Sequence, residues 1–166
     1  MKAVLNHPAE QAKQKCLNRA MRILARRLHS RRQLQQKLRR HWSAAVVAEA
    51  LRELRRFEYL DDRRFARAMA CASVEKHHGR QRAMVDLMRS GVANDVAQQA
   101  LQEAYEGQDQ VQMARQLAAQ HARRLRGLDA PTARRRLMGL LQRRGFDYET
   151  VRPILDELWR GGDFDP

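Results

Sequence analysis

Aromatic residues are scarce in this sequence: they make up only 5% of its 166 residues. Strands favour aromatic and β-branched side chains, so this shortage leaves little material for a sheet. The abundant Ala, Leu, Arg and Gln favour helices instead. Only four prolines interrupt the chain, and no long Gly/Ser-rich linker divides it. The composition therefore predicts an all-α protein.

Cysteines and long apolar runs are also lacking. Cys16 and Cys71 are isolated in helical patterns, which predicts free thiols in a reducing compartment rather than a disulfide framework. The N-terminus has no apolar stretch of signal-peptide length, and no segment approaches the roughly 20 apolar residues of a membrane span. We therefore expect a cytoplasmic protein that has no membrane partner.

Motifs for catalysis and cofactor binding are missing as well. The sequence has no GxxxxGK[ST] phosphate loop, no GxSxG and no HExxH. His77 and His78 are adjacent, so on a helix their rings would point to different faces. Asp61 and Asp62 lack a third ligand at loop spacing for a cation. We predict that the protein is not an enzyme and has no cofactor or metal.

The sequence does contain a helical pattern that repeats three times, with an offset of about 50 residues. Apolar residues recur at equivalent positions of the three copies. The sets are Leu34, Ala83 and Leu137; Leu38, Leu87 and Leu141; Val47, Ala97 and Val151; and Leu51, Leu101 and Leu155. We predict a loose arm over residues 1–14 and three-helix repeats over 15–60, 61–108 and 109–166. Because one such repeat buries little surface alone, neighbours must pack side by side, and we expect an elongated, bent array, right-handed or crescent-like.

The stretch from Phe57 to Ala66 is the predicted joint between the first two repeats. Asp61 or Asp62 can cap a new helix, because a short carboxylate accepts the free N–H groups of a first turn. Large apolar side chains flank this cap, as in a hydrophobic staple. The residues assigned to the joint are Tyr59, Leu60, Asp61, Asp62 and Phe65.

Further cap residues mark other helices. Ser30 is a predicted N-cap, and Gln33 stands three residues later, as a capping box requires. Asn94 or Asp95 is predicted to cap the sixth helix, and Asp147 the last one.

Positive charge dominates the sequence, with a formal net charge of +14, and it is clustered. No acidic residue occurs from Gln11 to Ala48. The candidate binding residues are Arg19, Arg22, Arg26, Arg27, Arg31, Arg32, Lys37, Arg39 and Arg40 in the first cluster, and Arg123, Arg124, Arg134, Arg135, Arg136, Arg143 and Arg144 in the second. A merely solvated surface mixes both signs, so two separate clusters predict two points of contact with an extended partner. The alternative is an Arg-rich genome that scatters exposed arginines without function.

The partner could be nucleic acid or an acidic protein surface. No Phe, Tyr or Trp stands between the basic residues of either cluster, so stacking on single-stranded bases is poorly supported. Phosphate contact without base reading, or contact with acidic protein, fits better. A helix-turn-helix could be built from each three-helix unit, yet Asn and Gln residues for base readout are not concentrated on a third helix.

Two segments resemble the RecX family of recombinase regulators. Tyr59–Arg67 (YLDDRRFAR) is similar to the family pattern G-[YL]-[IL]-[ND]-D-x-x-[FY]-A. His29–Leu38 (HSRRQLQQKL) is similar to the pattern S-x-x-E-L-x-x-K-L. The similarity runs from about Leu17 to Trp159. The chain departs from the family where Glu58 and Trp42 replace glycines, and where Gln replaces an acid within the second segment.

The resemblance implies a row of three-helix repeats that binds the RecA–DNA filament. Members of this family inhibit strand exchange, ATP hydrolysis and the co-protease activity that drives LexA cleavage, and they thereby modulate DNA repair and the SOS response. The expected partners are the RecA filament and single- or double-stranded DNA, with the chain itself a monomer. The alternative function is a stand-alone, sequence-nonspecific DNA-binding helical protein, such as a transcription or nucleoid factor.

Overall fold

The computed structural model describes residues 8–125 and 127–160, and all regular structure in that part of the chain is helical. The α-helices are α1 (Pro8–Leu24), α2 (Arg31–Leu38), α3 (Ala44–Arg56), α4 (Asp62–Glu75), α5 (Arg80–Arg89), α6 (Asn94–Tyr105), α7 (Gln110–Ala122), α8 (Ala130–Arg143) and α9 (Tyr148–Arg160). A short 3-10 helix, Arg123–Leu125, follows α7. The all-α fold built from three three-helix repeats is confirmed. None of the described helices is long and apolar enough to cross a membrane.

The chain divides into two compact units. Unit 1 comprises Met1–Ala68 and Leu87–Ala97, and unit 2 comprises Met69–Asp86 and Gln98–Pro166. Unit 1 therefore contains α1 to α3, and unit 2 contains α7 to α9. The helices of the second repeat are shared between the two units.

The predicted core positions are buried in all three repeats. Every residue of the four equivalent sets is at most 3% exposed. In unit 1, α1 packs against α2 and α3, and in unit 2 the helices α7, α8 and α9 pack against one another. Full burial of one Leu or Val side chain contributes about 1.5–3 kcal/mol, so these sets stabilise each repeat and make its helical period visible in the sequence.

The first helix begins earlier than predicted. α1 starts at Pro8, so residues 8–14 are helical and the predicted loose arm was too long; residues 1–7 lie outside the described residues. Proline fits a first helical turn, and Glu10 favours the positive end of the helix dipole. The Lys13 ammonium lies 3.2 Å from carboxylate oxygens of both Glu10 and Glu53, which ties this early part of α1 to α3.

The joint after α3 forms around Asp61, which is the cap of α4. Its Oδ1 accepts the N–H of Arg63 at 2.7 Å. Leu60 and Phe65 are buried at the two staple positions on either side of this cap. Tyr59 also lies at the joint, but its side chain is 57% exposed and is not buried there as those of Leu60 and Phe65 are. The reason is the register, because Leu60 and not Tyr59 directly precedes the capping residue.

Asp62 contacts a different helix. Its Oδ1 accepts the N–H of Arg31, the first residue of α2, at 2.7 Å. Ser30 caps the same helix by accepting the N–H of Gln33, and its hydroxyl donates to the carbonyl of Ser90 at 2.5 Å. The predicted capping box is incomplete, because the Gln33 side chain donates to the Ser90 hydroxyl instead. The start of α2 is thus held by α4 and by the turn after α5.

An equivalent joint occurs in unit 2. The N–H of Arg80, the first residue of α5, donates to Oε1 of Gln110 in α7 at 3.1 Å. The N–H of Gly79 donates to the carbonyl of Arg144 after α8 at 2.8 Å. Both joints have the same form. The start of a repeat's second helix contacts two parts of the following repeat, namely its first helix and the end of its second helix.

The ends of the second helices differ between repeats. Gly91 and Gly145 follow α5 and α8 with φ of +80° and +91°, as a left-handed cap requires. The equivalent position after α2 is Trp42, whose N–H bonds to the carbonyl of Leu38 at 3.2 Å without a left-handed residue. The first repeat therefore makes this turn in a different way, which explains why it tolerates a large side chain.

The predicted cap of α6 was wrong. Asn94 and Asp95 lie within the first turn of α6, and the carbonyl of Ala93 accepts the first helical N–H, from Ala97. The acidic side chain still favours the helix dipole from this position. The cap of α9 is confirmed, since Asp147 accepts the N–H of Thr150 at 2.7 Å.

Candidate binding grooves

Six predicted basic residues line one groove in unit 1, here called the repeat-1 groove. They are Arg19 and Arg22 on α1, Arg26 and Arg27 in the turn after it, Lys37 on α2 and Arg40 just beyond α2. Ile23, His29 and His41 complete the lining, and the groove encloses about 540 Å³. These six members of the first basic cluster therefore share a single concave surface between the first two helices.

The charged side chains that line the repeat-1 groove are all positive. All six basic side chains are exposed, and none of them forms an ion pair with any residue that the structure describes. No acidic residue lines the groove. Like charges at this density repel one another, so an anion that enters would relieve the repulsion. Guanidinium groups match phosphate and carboxylate oxygens especially well, because their planar forks donate two parallel hydrogen bonds.

His29 adds no charge to this groove at neutral pH. It is 4% exposed, and its Nδ1 lies 3.0 Å from the carbonyl of Arg27. Because a carbonyl only accepts, Nδ1 must carry the proton and donate. Burial lowers the pKa of His29, and the nearby charges of Arg27 and Lys37 lower it further, against the raising effect of the carbonyl bond. The positive field therefore comes from the arginines and the lysine.

Four residues of the second cluster line a groove in unit 2, here called the repeat-3 groove. They are Arg124, Arg135, Arg136 and Arg143. His121, Leu125, Leu137 and Leu140 line it as well, and it encloses about 380 Å³. Leu137 is fully buried, and Leu125 and Leu140 are half-buried. This groove therefore combines an apolar floor with guanidinium groups.

The two grooves occupy equivalent places in their repeats, between the first and second helices. Leu38 and Leu141 are equivalent residues of the first and third repeats. The same offset makes Arg40 equivalent to Arg143, and each of these arginines lines the groove of its repeat. Lys37 corresponds in the same way to Leu140. The second repeat, over residues 61–108, carries equal numbers of acidic and basic residues. The excess positive charge is thus concentrated in the first and third repeats.

The remaining predicted residues of the second cluster lie outside the repeat-3 groove. Arg134 forms a salt bridge with Asp156, which lowers the pKa of that carboxyl. Arg144 donates from Nη1 to the carbonyl of Lys76 at 3.0 Å. Arg123 is exposed at the end of α7. Two of the seven arginines are therefore engaged by the chain itself.

Three predicted residues of the first cluster also lie outside the repeat-1 groove. Arg31 starts α2 and lines a smaller depression beside Asp62. The aliphatic part of Arg32 lies against Gly91, so closely that an added Cβ on this glycine would come within 2.5 Å of the Arg32 Cβ. Arg39 is exposed but does not line the groove. The structure thus separates the basic residues that share a groove from Arg31 and Arg32 near the joint and from the exposed Arg39.

Sequence reasoning missed the apolar part of the repeat-3 groove. Leu125 and Leu140 carry helical periodicity, so they look like core residues, and His121 looks like a residue at the core boundary. The available signal was the comparison between repeats, since Leu140 stands where the first repeat has Lys37. In residues 8–125 and 127–160, no group of three His, Cys, Asp or Glu residues could hold a metal ion.

Comparison with protein families matches all three repeats. The models that match are described as the first, second and third three-helix domains of RecX, and they cover residues 16–54, 61–101 and 108–155. Together these segments account for most of the chain. They coincide with the three sets of helices in the structure.

Individual relatives agree with this assignment. The chain is 32% identical to the regulatory protein RecX of Chlorobaculum tepidum, over 86% of this chain and 88% of that protein. It is 38% identical to the regulatory protein RecX of Halorhodospira halophila, over 80% of this chain and 81% of the relative. A crystal structure of RecX from Lactobacillus salivarius has the same fold, with a TM-score of 0.72 at 20% identity, and the match covers 91% of this chain and 99% of that one. The first two relatives are named as regulatory proteins, and the chain belongs to the RecX family.

Proposed function

We propose that this protein is a negative regulator of RecA, which binds the RecA–DNA filament as a monomer in the cytoplasm. It inhibits the recombinase, ATPase and LexA co-protease activities of the filament, and thereby modulates DNA repair and the SOS response. Membership of a regulatory family supports a regulatory role. The choice of the filament as the target rests on the resemblance of the two sequence segments to the family patterns.

The single observation that carries the proposal is the pair of basic grooves at equivalent places in the first and third repeats. A nucleoprotein filament offers both DNA phosphates and repeating protein surfaces, so it can bind in two grooves of different chemistry at once. Two modest contacts on one chain raise the overall affinity, because the second contact forms at a high effective concentration. Inhibition would be steric and electrostatic, since a chain that bridges successive subunits blocks filament growth and access of substrates.

The second candidate function is direct, sequence-nonspecific DNA binding without RecA. The repeat-1 groove favours it, because six unpaired cations suffice to attract a phosphate backbone. No Phe, Tyr or Trp lines that groove, so the side chains that stack most strongly on bases do not contribute to this binding.

A RecA ATPase assay on single-stranded DNA separates the two functions. A filament regulator should suppress ATP turnover at well below one molecule per RecA, because one bound chain affects several subunits. A stand-alone DNA-binding protein should suppress turnover only at concentrations that saturate the DNA. Suppression that follows DNA occupancy alone, measured in parallel with a labelled oligonucleotide, would overturn the proposal.

A further inference from the structure

The repeat-3 groove has a surface that nucleic acid does not need. Leu125 and Leu140 are half-buried at its floor, beside the fully buried Leu137. A phosphodiester backbone carries a charge at every phosphate and gains little from covering leucines. A polypeptide can offer carboxylates and a large apolar side chain together, and apolar anchors within a charged rim are the usual composition of protein interfaces.

The arginines of this groove are also available to a partner. Arg134 and Arg144 are engaged by Asp156 and by the carbonyl of Lys76, and neither lines the groove. The four arginines that do line it form no ion pair within the described part of the chain. Two arginines outside the groove are therefore engaged within the chain, whereas those inside it have no ion pair in the described residues.

The repeat-1 groove provides an internal comparison. It has the same place between the first two helices of its repeat, yet six basic residues line it, and Lys37 occupies the position equivalent to Leu140. Two equivalent grooves with different floors favour ligands of different chemistry. The leucine floor is therefore a specific property of the third repeat rather than a consequence of the fold.

We propose that the repeat-3 groove docks an acidic polypeptide segment that carries a large apolar side chain. The apolar side chain lies on Leu125 and Leu140, and the carboxylates of the segment meet Arg136 and Arg143. A groove of about 380 Å³ is in the size range of sites that hold small ligands, so it accommodates a short segment rather than a folded domain. The inference rests on the proposed function in one respect: the segment belongs to the protein component of the filament.

Site-specific photocrosslinking tests this inference with the full chain. Leu140 is replaced by p-benzoylphenylalanine in one protein, Leu125 in a second, and Lys37 in a third as the matched position of the other groove. Each protein is irradiated with RecA filaments on single-stranded DNA, and the products are identified by mass spectrometry. We expect the Leu140 and Leu125 positions to crosslink to an acidic protein segment with a large apolar residue, while the Lys37 position does not crosslink to that segment.

Charge reversal gives a second measurement. Arg136→Glu together with Arg143→Glu should lower the yield of the Leu140 crosslink about tenfold, whereas Arg39→Glu should leave it unchanged. Circular dichroism confirms that each protein is folded. A crosslink from Leu140 to DNA, or to residues 161–166 of the same chain, would overturn the inference.

The inference can also fail independently of the proposed function. If the wild-type protein suppresses RecA ATPase but neither groove position crosslinks to protein, the docking site is wrong and the function stands. If the wild-type protein does not suppress RecA ATPase at all, the proposed function fails first. A protein crosslink from Leu140 that persists with both arginines reversed would show that the segment is not recognised by its charge.

Discussion

The backbone N–H of Arg31 donates a 2.7 Å hydrogen bond to Oδ1 of Asp62, 31 positions further along the chain. In unit 2, the N–H of Arg80 donates to Oε1 of Gln110 in the same way, at 3.1 Å. The first N–H groups of a helix have no partner within the helix, so each must find one elsewhere. In both joints a side chain from the following repeat supplies that partner, and the start of one repeat's second helix depends on the next repeat.

Removal of the Asp62 carboxylate should destabilise the protein. Asp62→Ala leaves the N–H of Arg31 without its acceptor, and loss of a capping carboxylate costs about 0.5–2 kcal/mol. The measurement is the free energy of unfolding from urea titration followed by circular dichroism. Gln110→Ala is the matched variant of the second joint, and we expect a smaller loss because its acceptor is neutral. Equal stability of Asp62→Ala and wild type would show that the contact contributes nothing in solution.

Glycine at position 58 should stabilise the protein. Glu58 follows α3 with φ of +58°, a left-handed conformation that costs a residue with a Cβ about 1–2 kcal/mol. The side chain is exposed, so little is lost by removing it, although the greater freedom of the unfolded glycine offsets part of the gain. We expect Glu58→Gly to raise the free energy of unfolding by about 0.5–1 kcal/mol.

His77 is the control for this substitution. It also has a left-handed φ, of +53°, but its ring Nδ1 donates to the carbonyl of Glu75 at 3.2 Å. His77→Gly removes that hydrogen bond together with the strain, so its gain should be smaller than that of Glu58→Gly. A loss of stability in Glu58→Gly would mean that the glutamate side chain makes a stabilising contact that outweighs the strain.

The sequence allowed the core and the repeats to be predicted, because burial on one helical face leaves a period in the chain. Leu38, Leu87 and Leu141 illustrate this, since each is fully buried at the same place in its repeat. Glu58 stands where the family has a glycine, and its φ is positive, which is the conformation that glycine adopts most easily. These features are local, and local features are what a sequence pattern records.

Contacts between distant residues could not be predicted in this way. The sequence allowed Asp62 to be considered as a cap of its own helix, whereas it accepts from α2. The basic clusters could be recognised in the sequence, but it did not show which of their arginines bond within the chain. Arg134 pairs with a residue 22 positions away, and Arg144 bonds to a carbonyl 68 positions away. Only the tertiary structure shows which arginines remain for a partner.

A methyl group at Gly145 should be poorly tolerated. An added Cβ would come within 2.5 Å of the backbone nitrogen of Arg82, and φ at this position is +91°. The steric conflict and the left-handed backbone should together lower the free energy of unfolding by about 2–4 kcal/mol. Gly127→Ala is the control, because its φ is +88° but no atom lies within 4 Å of an added Cβ. Similar losses in both variants would show that the contact with Arg82 is not tight.

Mild acid should destabilise the folded protein. Burial is the main cause that lowers the pKa of His29, His78 and His121 from the ordinary value of 6.5. The unfolded chain therefore binds more protons than the folded chain below that pH, and stability falls as the pH drops through 6.5 towards the folded pKa values.

The measurement is urea unfolding at pH 7.5 and at a pH about two units lower, near 5.5. We expect a smaller difference between the two conditions in His29→Gln, because glutamine cannot take up the proton. Hydrogen bonds lower the carboxyl pKa values of Asp129 and Asp147. These groups change the stability in a separate pH range, below their ordinary pKa of 3.8. An unchanged pH dependence in His29→Gln would mean that this histidine does not contribute.

Arg40 and Arg39 are adjacent and exposed, yet only Arg40 lines the repeat-1 groove. If the groove holds a phosphate backbone, Arg40→Gln should weaken binding to a labelled single-stranded oligonucleotide, measured by fluorescence anisotropy without RecA. The slope of log affinity against log salt should fall in magnitude by about 0.7, because one fewer counterion-releasing contact forms. Arg39→Gln should leave the slope unchanged. Equal effects of the two substitutions would mean that DNA responds to the overall charge of the protein, since position within the groove would then make no difference.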